Sequence, residues 1–236
     1  MKINILTIKS EFESAKQIGF PVTRSAKNVQ RDVVVVRWGN SYLTRGGEFD
    51  MVINPASNIS LNCDKLEALK RLSHIVKTPT IYYKMVPKGI KAVIRPYTHT
   101  AGNEFSIING PFEVLGGYYA TQFLETDEEY RVWFCGEQTF VAQRVPLTPE
   151  DHKSFPCRSN WGYSYRFKFD SKISQQTLDA AKTIGLDAGA ADILKVGKDY
   201  YFLELNSAPS VDTKTLIRFF SNGLRQLILD KFKIII

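Results

Sequence analysis

The chain has little of what redox and zinc chemistry require. Its three cysteines, Cys63, Cys135 and Cys157, are too few and too scattered for a disulfide framework or a C-x-x-C metal site. Its three histidines, His74, His99 and His152, form no H-E-x-x-H pair and no His/Cys cluster, which argues against a zinc enzyme. No apolar run reaches the roughly 18–20 residues of a membrane helix. Met1 to Ile8 lacks a small-residue cleavage site and reads as a first strand, not a signal peptide. There is no heptad and no repeat of fixed period, so coiled-coil and solenoid folds drop out. No G-x-S-x-G or Cys/His arrangement offers a protein nucleophile. Reduced thiols and a cytoplasmic setting are the expectation.

With 44% hydrophobic and 23% charged residues over 236 positions, the composition suits an ordinary folded chain of one large domain or a few lobes sharing a cleft. The net charge of +7 suits an anionic partner such as a nucleotide, a phosphate, nucleic acid or an acidic peptide. The bases are spread along the chain, so they map no nucleic-acid groove.

The first third reads as a small α/β unit. Ile3–Ile8 alternates as a strand, Ser10 is placed to cap a helix running to about Ile18, and Val33–Val36 has the character of a buried parallel strand. Met51–Pro55 reads as a further strand. Asp64 then caps an amphipathic helix whose Leu66, Leu69 and Leu72 share a face. The middle is strand-rich: Thr80–Lys84, Lys91–Pro96, Gly117–Leu124, Glu129–Cys135, Gln138–Val145 and Tyr163–Phe169, with a hairpin at Gly136-Glu137. Between Pro96 and Phe105 lies a small, polar loop. Lys172–Ile184 is helical and ends at Gly185; residues from about Val211 to Phe232 form a last amphipathic helix.

The informative element is the late hairpin, Ala191–Val196 and Tyr200–Leu205. A three-residue loop, Gly197 to Asp199, pairs Val196 with Tyr200 and, counting back, Asp192 with Glu204. Asn206 then shares the Glu204 face. Two carboxylates directly opposed repel each other, so a cation between them is called for, and a hard divalent ion taking oxygen ligands is the natural one. A two-residue Gly197-Lys198 turn redirects Asp192 unless a bulge intervenes. The plainer account has Asp192 salt-bridged and Glu204 and Asn206 ending a strand, but carboxylates inside the apolar run Tyr201–Leu205 need a partner.

Gly185 to Leu194, followed by Leu203-Glu204-Leu205-Asn206-Ser207-Ala208-Pro209, resembles the metal-binding end of ATP-grasp ligases. The flavour is that of the glutamate-ligase-like (ribosomal-protein glutamate ligase) and phage or viral carboxylate–amine ligases. The likeness runs from about Asp64 to Pro209. It implies an α+β, α/β architecture: an N-terminal α/β lobe over 1–63, a small subdomain with a lid loop over 64–117, and a C-terminal subdomain with the metal site over 118–236, the last two clamping ATP. It implies Asp192, Glu204 and Asn206 as ligands of one or two Mg²⁺ ions, with Mn²⁺ able to substitute. Lys65 is similar to the family's first phosphate-contacting lysine. Arg95-Pro96 stands in place of the usual Lys-Pro and keeps the charge in a different geometry. His99 to Phe105, with Gly102, resembles the lid. Gln122, Phe123 and Leu124 lie in the stretch that resembles the adenine-reading hinge. Glu129 and Arg131 lie on the following strand, where an acidic residue commonly meets the ribose. Arg158-Ser159-Asn160-Trp161-Gly162 resembles the segment that binds the transferred phosphate, with Arg95, Arg158 and Asn160 as the catalytic set.

The activity so implied is ATP-dependent amide formation through an acyl-phosphate. The substrates implied are a small carboxylate, such as an amino acid or peptide, and an amine acceptor that is free, on a peptide or on a nucleic acid. A non-catalytic nucleic-acid- or protein-binding module and a small-molecule kinase are the competing readings. Three further features stay open at this stage. Arg37-Trp38-Gly39 at a strand end could touch a ligand or simply pack, Arg144 could face cleft or solvent, and the aromatic Trp161–Phe169 could stack bases or form an ordinary alternating strand.

Overall fold

The computed structural model describes residues 2–9, 11–29, 33–43, 47–97, 105–126, 128–147 and 163–234. It opens with a parallel sheet of strands β1 (Lys2–Thr7), β2 (Val22–Thr23), β3 (Val33–Trp38) and β4 (Val52–Ile53), ordered β2-β1-β3-β4, with helix α1 (Phe12–Gln17). Every residue of β3 is buried, as its run of valines demands of a strand covered on both faces. Glu11 occupies the α1 N-cap without a side-chain cap bond; Ser10, the expected cap, lies outside the described residues.

Two helices follow, α2 (Ala56–Cys63) and α3 (Lys65–Leu72). The second was expected, and Asp64 caps it by accepting the Glu67 N–H. The first has no sequence signature, because Ser57, Asn58, Ser60 and Asn62 are poor helix formers. Long-range bonds hold it: Glu48 accepts the Ala56 N–H at 2.7 Å, Asn58 donates to the Gly185 carbonyl at 2.7 Å, and Asn62 donates to the Leu205 carbonyl at 2.9 Å.

A small antiparallel sheet, β5-β10-β7-β8, comes next, built from β5 (Ile81–Tyr82), β7 (Lys91–Pro96), β8 (Ser106–Asn109) and β10 (Tyr118–Gln122). The short pair β6 (Met85–Val86) and β9 (Phe112–Glu113) flanks it, and Val86, Ala92, Val114 and Ala120 form its own core.

The large antiparallel sheet has the order β13-β12-β11-β14-β15, from β11 (Glu128–Cys135), β12 (Gln138–Pro146), β13 (Tyr163–Lys168), β14 (Ala188–Val196) and β15 (Asp199–Asn206). One face packs on α2, α3 and α4 (Ser171–Ile184) through Ile59, Leu72, Ile173, Ile184, Ile193 and Phe202. The other packs on the N-terminal lobe and α5 (Lys214–Phe232) through Trp133, Ala190, Trp38, Leu216 and Phe220. Trp38 meets Phe220 edge-to-face at 5.0 Å, a contact worth about 0.5–1.5 kcal/mol beyond the area it buries. Gly39, at φ +73°, lies so close to the segment after β15 that a Cβ there would sit 2.9 Å from the Ala208 Cβ. This contact seats the post-β15 segment against the strand ends of the lobe.

The β14–β15 turn differs from the sequence expectation. Val196 pairs with Asp199, so the loop is the two residues Gly197-Lys198. That register alone would set Asp192 against Leu203. A bulge between Asp192 and Ile193 absorbs one residue of β15, and Asp192 faces Glu204 after all. The burial pattern carries the same signature: Phe202 and Leu205, three apart, both enter the α4-side core.

Candidate functional site

The register of the large sheet writes out the site. Glu204 pairs with Asp192, Asp192 with Arg131, and two positions further along Glu129 opposes Arg144. Paired residues share a face, so these five side chains stand together on the face whose Cys135 end packs on α5. Tight pairing across Gly136-Glu137 is what sets Glu129 against Arg144, and it answers the open question about Arg144: the residue is buried and faces inward.

The contacts divide the labour within the cluster. Arg144 donates one guanidinium nitrogen to Glu129 and the other to Asp192 Oδ1 at 3.0 Å, and Arg131 lies 3.4 Å from the same oxygen. The second oxygen of Asp192 is left to Asn206, whose Nδ2 donates to it at 3.0 Å and to Glu204 Oε1 at 3.3 Å. Lys65, the first residue of α3, reaches Glu204 Oε2 at 3.3 Å and the Leu205 carbonyl at 3.2 Å. Burial opposes ionisation of Glu204. The charges of Lys65 and Arg95 and the hydrogen bonds from Lys65 and Asn206 outweigh it, and its carboxyl is held at about 2. Arg95 belongs to β7, so the small sheet sends a positive charge to the acidic end of the large one.

Glu11, which the sequence did not flag, lies in the field of Arg131. Burial pushes its carboxyl up and Arg131 draws it back only in part. The signal was its place just beyond the C-terminal end of β1, where parallel sheets present ligands. Tyr119 was missed as well: it is buried opposite Arg95 on β10.

The other expected site residues make the following contacts. The N–H groups of Gln122 and Phe123 are donated to the Thr80 and Lys91 carbonyls at 2.8 and 2.9 Å, and the Phe123 ring carries the Lys91 ammonium 4.2 Å from its centroid. Leu124 is buried next to them. The carboxylate of Glu129, expected near a ribose, is engaged by Arg144. His99, Gly102, Arg158 and Asn160 lie outside the described residues. Arg37 packs, as the plainer account had it: fully buried, it bonds Glu48 and the Asn40 and Tyr42 carbonyls. In the Trp161–Phe169 stretch, Phe167 packs on Phe140 at 4.8 Å, as an alternating strand requires, and Phe169 is exposed.

Among the described residues no three His, Cys, Asp or Glu side chains gather into a ready metal cluster. The set at hand is two carboxylates and one amide, and its arrangement fits a hard divalent ion. An amide NH₂ bridging two anions occupies the place of a positive group. A half-turn of the Asn206 amide exchanges its nitrogen for its oxygen there, and a third oxygen beside two carboxylates is stable only around a cation.

No described helix is long and apolar enough to cross a membrane. No protein-family model matches the chain, and no curated protein sequence does. Solved structures match over nearly their full lengths. A D-alanine–D-alanine ligase from Bacillus anthracis complexed with ATP aligns at TM-score 0.62 and 12% identity, over 98% of this chain and 96% of its own. A Chryseobacterium gregarium RiPP-associated ATP-grasp ligase in complex with ADP and a leader and core peptide aligns at TM-score 0.60 and 14% identity, over 98% and 97%. A RimK domain protein ATP-grasp from Sphaerobacter thermophilus aligns at TM-score 0.61 and 13% identity, over 97% and 100%. With its two larger antiparallel sheets, its N-terminal parallel lobe and this likeness, the chain has the ATP-grasp fold.

Proposed function

We propose that the chain is an ATP- and Mg²⁺-dependent carboxylate–amine ligase that forms an amide through an acyl-phosphate. The carrying observation is the convergence of Asp192, Glu204 and Asn206 with Lys65 and Arg95, cations delivered from α3 and from the small sheet. Two anions crossed by basic side chains from separate elements suit a polyphosphate with its counter-ion better than they suit a fold contact.

Asp192, Glu204 and the Asn206 amide oxygen would hold the divalent ion, which neutralises phosphate charge as it develops. Lys65, 3.3 Å from Glu204 Oε2, would supply fixed positive charge to phosphates bound beside it. Arg95 sits where fixed positive charge favours phosphoryl transfer, which rests on positioning and electrostatics. Arg131 and Arg144 hold Asp192 by one oxygen, which leaves the other, beside Asn206, as the one that would serve a divalent ion. In the reaction the substrate carboxylate oxygen takes the γ-phosphoryl and ADP leaves. The amine then forms the C–N bond, loses a proton, and phosphate departs. Arg158 and Asn160 are assigned to the transferred phosphate, and His99 and Gly102 to the lid, on their sequence motif. The hinge segment Gln122–Leu124 borders the adenine site, with Glu129 acting through Arg144.

The carboxylate is an amino acid or peptide. The neighbour that holds a leader and core peptide supports a peptide acceptor. Arg95-Pro96 supports placement near the glutamate-ligase-like branch with its phage-type members. Free thiols at Cys63 and Cys135 suit a cytoplasmic enzyme.

The test is an ADP-release screen over amino acids and amines with Mg²⁺, using Glu204→Gln as the control. Release above the control that depends on both a carboxylate and an amine, with amide in the product, supports the reading. Release no greater than the control for every carboxylate removes it, and a stable phosphorylated product would make the chain a kinase.

A further inference from the structure

Arg95 reaches from one sheet toward the acidic end of another, and an arginine side chain left to itself would spread over many rotamers. Its surroundings prevent this. The residue directly across the ladder is Tyr119, which is 1% exposed. The Tyr119 ring stacks on Tyr97 with centroids 6.2 Å apart and planes 15° from parallel, which restrains the ring. Paired residues share a face, so the Tyr119 phenol and the Arg95 guanidinium lie on the same side of the small sheet, where Arg95 acts on the hydroxyl and the pair sits within the fields of Glu204 and Lys65. A buried hydroxyl without a partner is costly, so the contact holds both groups in place.

We propose that Tyr119 is a positioning residue for Arg95: its hydroxyl holds one corner of the guanidinium fork, leaving the other donors facing the phosphate end of the cluster. The inference rests on the ATP reading above and deepens it. Arginine carries five donors in a fixed plane and can serve a phenol and an anion at once; lysine, as a point charge, cannot do both in a fixed geometry.

The experiment is calorimetric titration of the full chain with ATP in Mg²⁺ and, separately, with adenosine. Tyr119→Phe keeps the ring stack and removes only the hydroxyl. Its Kd for ATP is expected to rise roughly tenfold, the worth of one hydrogen bond to a charged group. Its Kd for adenosine, which has no phosphates, should be unchanged. In an Arg95→Ala background the same change should cost nothing further. Equal weakening of both ligands, an unchanged ATP affinity, or a full additional loss in the Arg95→Ala background would each overturn the proposal. If Tyr119→Phe does not fold, Arg95→Lys takes its place: a similar loss is expected, and retained wild-type affinity overturns the idea. A wild-type chain that binds no ATP is a separate result and rejects the ATP reading itself.

Discussion

Two buried arginines at strand ends contrast a closed fold contact with the cluster proposed as the ligand site. Arg37 in the N-terminal lobe meets Glu48, eleven residues on, and two nearby carbonyls; the second Glu48 oxygen takes the Ala56 N–H. Each charge and lone pair is answered within a span of twenty residues. Burial works against the Glu48 carboxylate, and the bonds from Arg37, Ala56 and Phe49 still hold its carboxyl below the usual range. Arg144 on the large sheet is different. It divides itself between Glu129 and Asp192, and beyond Asp192 an amide is shared by two anions that also draw on Lys65 and Arg95. The first group is closed and local. The second is assembled from distant segments, and its donors are stretched over more than one acceptor. That difference is what the proposed function rests on.

The comparison predicts opposite outcomes for two carboxylate changes. Glu204→Gln should lower ADP release roughly a thousandfold, as loss of a charge that organises the transition state does. Its stability should stay within about 1 kcal/mol of wild type, since the side chain is 36% exposed. Glu48→Ala strands a guanidinium whose side chain is fully buried. It should cost about 3 kcal/mol in urea denaturation while leaving turnover per folded molecule unchanged. If Glu48→Ala removed activity without loss of stability, the division between the two groups would fail.

Gly189→Ala tests the site through its backbone. The added Cβ would fall 2.5 Å from the Asn206 carbonyl oxygen and 2.8 Å from Phe134 Cζ. One strand has to shift, at a cost of about 1–3 kcal/mol. Because Asn206 moves with it, the Mg²⁺ concentration for half-maximal ATP-dependent thermal stabilisation should rise roughly tenfold. A change in stability alone, with Mg²⁺ dependence intact, would detach Asn206 from the ion.

The smallest effect is on pH. The Glu204 carboxyl lies at about 2, below an ordinary 4.5. A lowered carboxyl adds stability that is complete above the ordinary value and fades as pH falls toward the lowered one. Because the Glu204 side chain is 36% exposed, solvent screens this contribution to about 1 kcal/mol; wild type should lose it between about pH 4.5 and 2, and thermal melts of Glu204→Gln should lack that limb.

Much of this was legible in the sequence, and the failures are instructive. The valine run of β3, the leucine face of α3 and the Asp64 cap could be read because periodicity and local hydrogen bonds act within a few residues. Helix α2 could not, since its asparagines bond to Gly185 and Leu205, far along the chain. The pairing of Asp192 with Glu204 was reached by way of a longer turn than the real one, because an apolar run such as Tyr201–Leu205 gives no phase by which to detect an inserted residue. Glu129 could have been paired with Arg144 by counting back from the tight hairpin at Gly136. Nothing local marked Tyr119, whose importance lies in what stands across the ladder.

The irregularity in β15 has a consequence for how the late hairpin can vary. One extra residue at Leu203 resets the strand's phase between its tip and its acidic end. The two-residue tip and the slipped residue together set the final phase, so a one-residue insertion at Gly197-Lys198 would turn the acidic end out of register unless the bulge were lost with it.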